Sequence, residues 1–316
     1  MITIRTMTVD DIALGMRLKE AAGWNQIEAD WRRHLKLEPE GCFVASCDGT
    51  PAATLAATIF GDVTSGDDTS GSGPSRVGRT HPTAWIAMVL TDPSFRRRGL
   101  ANALLSHAIE YCEARGVREI RLDATAMGRP VYEKLGFGVT FDLTRWRGVA
   151  RVAAQAAPSA GPIGVRAMTA QDLADGELAD LDRLATGEDR RRLLSALRDD
   201  LPDAALVGSV DPRELTAVLG FALARRGSRA LQIGPVVART EPLGAGLLTA
   251  AVKRATGQDV VVDVPDRNGP AVTIVREAGL APERSFHRMV RRSMPCEAAL
   301  DSGASALWVS AGPEFG

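Results

Sequence analysis

Histidine, cysteine and tyrosine are scarce in this chain of 316 residues: four, four and two. The cysteines (Cys42, Cys47, Cys112, Cys296) include no pair at metal-ligand spacing, and the histidines are scattered, so no metal site is expected. Buried free thiols in a reducing cytoplasm are the expectation. No apolar run approaches the ~20 residues that a membrane span needs. The opening MITIRTMTVDD carries acids early and has no apolar signal core, which predicts no secretory signal. An excess of charge is missing too. Lys+Arg (38) and Asp+Glu (39) nearly cancel, leaving no electrostatic footprint for nucleic acid or an anionic membrane. Clusters of arginine therefore need local explanations.

What is present is a chain long enough for two domains, 45% hydrophobic and 24% charged. An internal echo divides it. Residues 2–12 read ITIRTMTVDDI and residues 163–173 read IGVRAMTAQDL, so that Arg5/Arg166, Met7/Met168, Thr8/Thr169 and Asp11/Asp172 coincide. Each copy predicts a short strand followed by Thr-x-x-Asp, a capping-box start to a helix. The same design at domain-sized separation predicts two copies of one module, residues 1–150 and 163–316. Between them, 151–162 is Ala/Pro/Gly-rich and reads as a linker.

In the first module, CFVASC (42–47) and PAATLAATIF (51–60) read as strands joined by an Asp48-Gly49 hairpin turn. Residues 61–82, almost without apolar side chains, read as a mobile loop. AWIAMVL (84–90) is a strand buried on both faces. It leads through Thr91-Asp92-Pro93 into Arg96-Arg97-Arg98-Gly99-Leu100-Ala101, and a helix follows at once. Ala101, Leu104, Leu105, Ala108, Ile109 and Cys112 form its single apolar face. A strand, a turn of small residues and a helix amino terminus make an anion-binding arrangement. Free backbone N–H groups point outward at the positive end of the helix dipole, and arginines add charge-assisted hydrogen bonds.

The Arg-x-x-Gly-x-Ala spacing resembles the pyrophosphate-binding signature of the GNAT acetyltransferase superfamily, with Arg96, Gly99 and Ala101 in the signature positions. The flanks match as well: EIRLDAT (119–125) reads as the next strand, and GRPVYEKLGF (128–137) is similar to the family's helix closing in Tyr-x-x-x-Gly-Phe. The resemblance covers about residues 84–147. It implies an α/β fold, a mixed and mostly antiparallel sheet flanked by helices in each module, with the fourth and fifth strands splayed apart. It implies acetyl-CoA as co-substrate, held at its pyrophosphate by Arg96, Arg97, Arg98, Gly99, Leu100, Ala101 and Asn102. Its pantetheine would lie along Met88, Val89 and Leu90 like an added strand.

The same resemblance implies Tyr132 as the general acid for the leaving thiolate, and the Met88 N–H as an oxyanion donor. The fourth-strand glutamate of many family members has no counterpart here, because Trp85 stands nearby and no carboxylate falls within 84–90. Asp123 is the nearest candidate base, with a structural hydrogen-bond role and water-relayed deprotonation as alternatives. Trp24, Asn25, Gln26 and Asp30, between the first two helical stretches, are candidates for binding the acceptor together with Trp85; for Trp24 and Trp31 the alternative is a place in the core.

In the second module, Gly244 and Gly246 echo the phosphate turn, but the arginine place falls near Glu241, and VREAGL (275–280) has valine where Tyr132 stood. A degenerate copy is expected. ALWVS (306–310) reads as a final strand without a place. The function implied is acetyl transfer to the amine of a small molecule. Acetylation of a protein amine and a coenzyme A-responsive protein without catalysis are the alternatives.

Overall fold

A computed structural model describes residues 1–61, 82–151, 163–209, 218–293 and 305–316. The expected 61–82 loop (all but its end residues), the 151–162 linker (past Arg151) and Cys296 lie outside the described residues.

The first module opens with β1 (Ile2–Thr6), α1 (Ile12–Ala22) and α2 (Glu28–Leu37), then β2 (Cys42–Cys47) and β3 (Thr50–Phe60). Asp48 and Gly49 have φ of 50° and 82°, the doubly left-handed turn that matches strand twist in a two-residue hairpin. β4 (Thr83–Thr91), α3 (Leu100–Ala114), β5 (Glu119–Ala124), α4 (Arg129–Lys134) and β6 (Gly138–Val149) complete it. The second module repeats the order with β7 (Gly164–Ala167), α5 (Ala170–Ala174), α6 (Glu177–Thr186), α7 (Arg191–Asp200), β8 (Leu206–Ser209), β9 (Gly220–Arg225) and β10 (Leu231–Ala238). It continues through α8 (Glu241–Arg254), β11 (Asp259–Pro265), α9 (Gly269–Glu277) and β12 (Ala281–Arg292) to β13 (Leu307–Val309).

The two copies begin alike because one clamp is built twice. Arg5 grips both oxygens of Asp11 at 2.6 and 2.7 Å, and Arg166 grips Asp172 at the same distances. Asp11 and Asp172 each also accept the backbone N–H of the threonine three residues earlier, the capping arrangement read from the sequence.

The modules share one sheet, which their separate patterns did not announce. Its order is β1-β2-β3-β4-β5-β12-β6-β11-β10-β9-β8-β7, with β13 beside β10. Each module's last strand crosses over: β12 pairs with β5 of the first module, and β6 pairs with β11 of the second. The two exchanged strands lie antiparallel at the centre, with Leu143 opposite Phe286. One face of the sheet carries α3 and α4 over the first module and α8 and α9 over the second, each with its own apolar cluster. On the other face a single cluster runs from Met7, Trp31 and Trp85 through Leu193, Leu197 and Phe221 to Phe315, so the modules share an interior. Burial on this scale across the join makes two independently moving halves unfavourable.

Candidate active site

β4 and β5 pair in parallel only at Thr83–Trp85 against Glu119–Arg121. On its other edge β5 pairs with β12 along its whole length, and beyond Arg121 β4 leaves it, opening the expected V-shaped gap. The divergence follows a bulge. The register of β3 against β4 slips between Thr54 and Ala56, and Met88 has φ of 53°, rare for a side chain of its size. Thr54 Oγ1 donates to the Met88 carbonyl at 3.0 Å and fixes this kink.

At the end of β4 the chain forms a single turn, Pro93–Phe95, capped by Asp92 Oδ1 accepting from Ser94 N at 2.9 Å. The ion pair with Arg17, reinforced by that backbone bond, holds the Asp92 carboxyl below the usual range. Arg97 (φ 61°) and Gly99 (φ 87°) then reverse the chain into α3. Gly99 is needed at this point: its backbone lies in the region that L side chains avoid, and with no side chain it cannot cap the helix. The N–H groups of Leu100, Ala101 and Asn102 precede the first helical acceptor geometry and have no intrahelical partner. Arg96, Arg97 and Arg98 are exposed around them. Arg98 stacks on Phe95 at 5.1 Å, while Arg96 and Arg97 have no ion-pair partner among the described residues. Three cations around an uncapped helix start would hold a diphosphate, and the V-shaped gap beside Met88, Val89 and Leu90 is open to a strand-like chain.

Tyr132 lies on α4, edge-on to Phe137 with ring centroids 6.0 Å apart, and its ring passes over Gly128. Its hydroxyl has no hydrogen-bond partner among the described residues, and burial pushes the phenol up to about 12. It is therefore protonated at neutral pH and able to donate. Asp123 is not free in the same way. Arg288 of the exchanged strand β12 donates to both its oxygens, Nε at 2.8 Å and Nη2 at 2.9 Å. The same guanidinium lies over Trp85 at 4.7 Å and Phe141 at 5.2 Å. The structural role left open for Asp123 is occupied, and Arg288 enters the site from the other module, which no local signal in the sequence could have announced.

The candidate acceptor residues divide. Asn25 is held by the second module: its Oδ1 accepts from Arg229 N at 2.9 Å and Ala230 N at 3.0 Å, and its Nδ2 donates to Ala230 O at 2.9 Å. Asp30 caps α2 through Ile27 N and pairs with Arg33 at 2.7 Å and Arg225 at 3.2 Å. Gln26 is buried, with its Oε1 unpartnered among the described residues. Trp31 takes the core alternative, packed over Gly15. Trp24 reaches a cavity of about 210 Å³ with Arg145, Arg147, Arg229 and Arg284, away from the V-shaped gap of β4 and β5. Trp85 is buried on the shared interior face and donates its indole N–H to Pro313 O at 3.0 Å.

The described cysteines, Cys42, Cys47 and Cys112, are buried free thiols, and burial pushes Cys42 and Cys112 up to about 12. Among the described residues no group of side chains could hold a metal ion, and no helix is long and apolar enough to cross a membrane.

Comparison with known proteins agrees with this geometry. The acetyltransferase (GNAT) family profile matches residues 13–137, and an acetyltransferase (GNAT) domain profile matches residues 178–300. An uncharacterised N-acetyltransferase of Methanocaldococcus jannaschii, MJ1207, is 28% identical over 148 residues, 43% of this chain and 60% of that protein. The aminoglycoside N(6')-acetyltransferase type 1 of Salmonella typhimurium is 27% identical over 115 residues, covering 35% of this chain and 72% of the relative. Several matches are partial: the chain spans 60% of the M. jannaschii protein and 35% of a glucosamine 6-phosphate N-acetyltransferase from Trypanosoma brucei brucei. Among solved structures, a proposed acetyltransferase of Pyrococcus horikoshii superposes with a TM-score of 0.74 at 20% identity, covering 100% of this chain and 96% of that one. A tandem GNAT protein from the clavulanic acid biosynthesis pathway gives 0.62 at 14% identity, with 94% and 100% covered. With both halves matched, this chain belongs to the GNAT acetyltransferases, in the two-domain form.

Proposed function

We propose that the chain transfers an acetyl group from acetyl-CoA to the amine of a small molecule, with one active site in the first module. The observation that carries this reading is the uncapped start of α3, where Gly99 at φ 87° and three exposed arginines follow directly on the strand that parts from β5. Arg96, Arg97 and the backbone N–H groups of Leu100–Asn102 would hold the pyrophosphate, and Met88, Val89 and Leu90 the pantetheine. Acetyl-CoA supplies the activated acyl group. The Met88 N–H would stabilise charge developing on its carbonyl oxygen, and the Tyr132 hydroxyl would protonate the departing thiolate. Since Arg288 holds both oxygens of Asp123, the acceptor amine would lose its proton to water rather than to that carboxylate.

A small acceptor is favoured over a protein because one continuous core joins the second module to the interior side of β4. The relatives named for aminoglycoside and glucosamine 6-phosphate acetylation support an amine of this size. Calorimetric titration with acetyl-CoA tests the reading. The wild-type chain should bind it, and a double variant, Arg96→Glu with Gly99→Glu, should lose at least about 100-fold in affinity, about 2.7 kcal/mol. Absence of binding by the wild-type chain would overturn the assignment.

A further inference from the structure

The second module has a V-shaped gap of its own. β10 and β11 pair in parallel at Leu231–Ile233 against Val260–Val262 and then separate. The register of β9 against β10 slips between Ile233 and Val236, as that of β3 against β4 slips between Ala87 and Leu90. Superposing the two slips sets Val236 of the second module at the position of Leu90 in the first. Leu90 is where the backbone is proposed to pair with pantetheine. Val236 has a partner already: it pairs with Val309 of β13, and the next residue, Ser310, donates its N–H to Asp263 O on β11. A peptide thus bridges the two diverging strands, in the place and direction open to a cofactor arm.

At the phosphate end the same segment covers the first turn of the helix. The two glycines that echo the anion turn serve packing instead. A Cβ on Gly244 would overlap the Trp308 indole, and one on Gly246 would overlap Ile163. Trp308 is 3% exposed, lying across the first turn of α8. The loop before that helix is reduced as well, to Arg239 and Thr240, whereas eight residues, Asp92–Gly99, separate β4 from α3. Glu241 and Pro242 open α8, one bringing negative charge and the other lacking an N–H. Beside this turn a cavity of about 430 Å³ remains, with Leu307 and Trp308 on one wall and Arg239, Thr240, Glu241 and Arg267 on the others.

From this anchorage the segment runs on to the first module. Pro313 O accepts from the Trp85 indole, a Cβ on Gly316 would meet the Trp85 ring, and Phe315 stacks on His34 at 4.7 Å. Arg190 donates to the carbonyl oxygens of Phe315, at 2.9 Å, and Gly316.

We propose that residues 305–316 are the resident occupant of the second module's cofactor cleft, and that this anchorage holds Pro313–Gly316 against Trp85 as a wall of the first module's acceptor side. The second copy has kept its cleft and changed its ligand, from a cofactor arm to a peptide of the same chain. The names cofactor cleft and acceptor side rest on the function proposed above; the anchorage of the segment between the strands does not.

The test uses the full chain labelled with ¹⁵N at its five tryptophans, with the Trp85 and Trp308 indole signals assigned by substitution to Phe and acetyl-CoA as the probe. One equivalent should bind without moving the Trp308 signal. The Trp85 indole proton should be protected from exchange in the wild-type chain. Trp308→Ala, or the milder Gly244→Ala that displaces the indole, should lower that protection at least about tenfold with the far-ultraviolet spectrum kept, and Trp308→Phe should retain it. A second equivalent that shifts the Trp308 signal would overturn the proposal. So would undiminished Trp85 protection in a folded Gly244→Ala or Trp308→Ala variant. If no acetyl-CoA binds while both indole signals behave as expected, the assigned activity fails and the anchorage stands.

Discussion

The two clefts of this protein are built on one plan and differ in what stands at their mouths. Both have a fourth strand with a slipped register, a parallel neighbour that departs from it, and a helix that begins just beyond. In the first, eight residues precede the helix and present Arg96, Arg97 and Arg98 around uncapped N–H groups. In the second, two residues precede it, and the helix opens with Glu-Pro beneath a tryptophan. The strand geometry is therefore a container of general use. The short loop before the helix, and whichever chain lies between the strands, decide what it contains.

The severest way to break the comparison is to release the segment that fills the second cleft from its far hold. Arg190 and Asp182 have no exposed side-chain surface and meet through two bonds, at 2.6 and 2.8 Å. Arg190→Met leaves the Asp182 carboxylate buried without a counter-charge and frees Phe315 O and Gly316 O. A loss of about 3–5 kcal/mol is expected, a fall of about 5–8 °C in a thermal melt. A change below about 1 kcal/mol would show that the interior hold is dispensable.

The next effect separates the proposed catalytic position from its structural echo. Tyr132→Phe should lower turnover of acetyl-CoA about 100-fold while its affinity stays within about twofold, the mark of a lost proton donor. Val275, which has the corresponding place in the second module, is fully buried. Val275→Ala should cost about 2 kcal/mol of stability and leave turnover at its wild-type rate. If Val275→Ala slowed turnover as Tyr132→Phe does, the division of labour between the modules would fail.

How much of this was legible in the sequence depends on the range of the interaction. The Asp48-Gly49 hairpin, the buried strand at 84–90 and the apolar face of α3 follow from local periodicity and turn chemistry, and each was readable within a dozen residues. The turn at Arg96–Gly99 was readable for the same reason, since Gly99 and its arginines lie within one loop. Asn25 and Asp30 look the same in a sequence whether their partner is a ligand or a distant part of the chain, and here the partners are the Ala230 backbone and the Arg225 side chain. The exchange of β6 and β12 was hidden because both strands satisfy the pattern equally well with either neighbour, and with it went Arg288. Gly244 and Gly246 read as worn remnants of a phosphate site because a sequence records that a side chain is absent, and not what lies above it.

The smallest effect compares the one device the modules share unchanged. The Arg166 clamp, with its threonine N–H, holds the Asp172 carboxyl down to about 2, and that of Arg5 lowers Asp11 in the same direction. A carboxyl whose folded value lies below its unfolded one contributes stability above the unfolded value and loses it as pH falls through the folded one. For Asp172 that window runs from about pH 4 down to about pH 2. Thermal melts of Asp172→Asn and Asp11→Asn across pH 2–7 should therefore show a deficit at neutral pH that closes toward pH 2. The deficit should be larger for Asp172, because Arg166 is 29% exposed where Arg5 is 51% exposed and more screened by water. A larger deficit for Asp11→Asn would mean that the first clamp supports more than its own helix start, and the two amino-terminal designs would no longer count as equivalent.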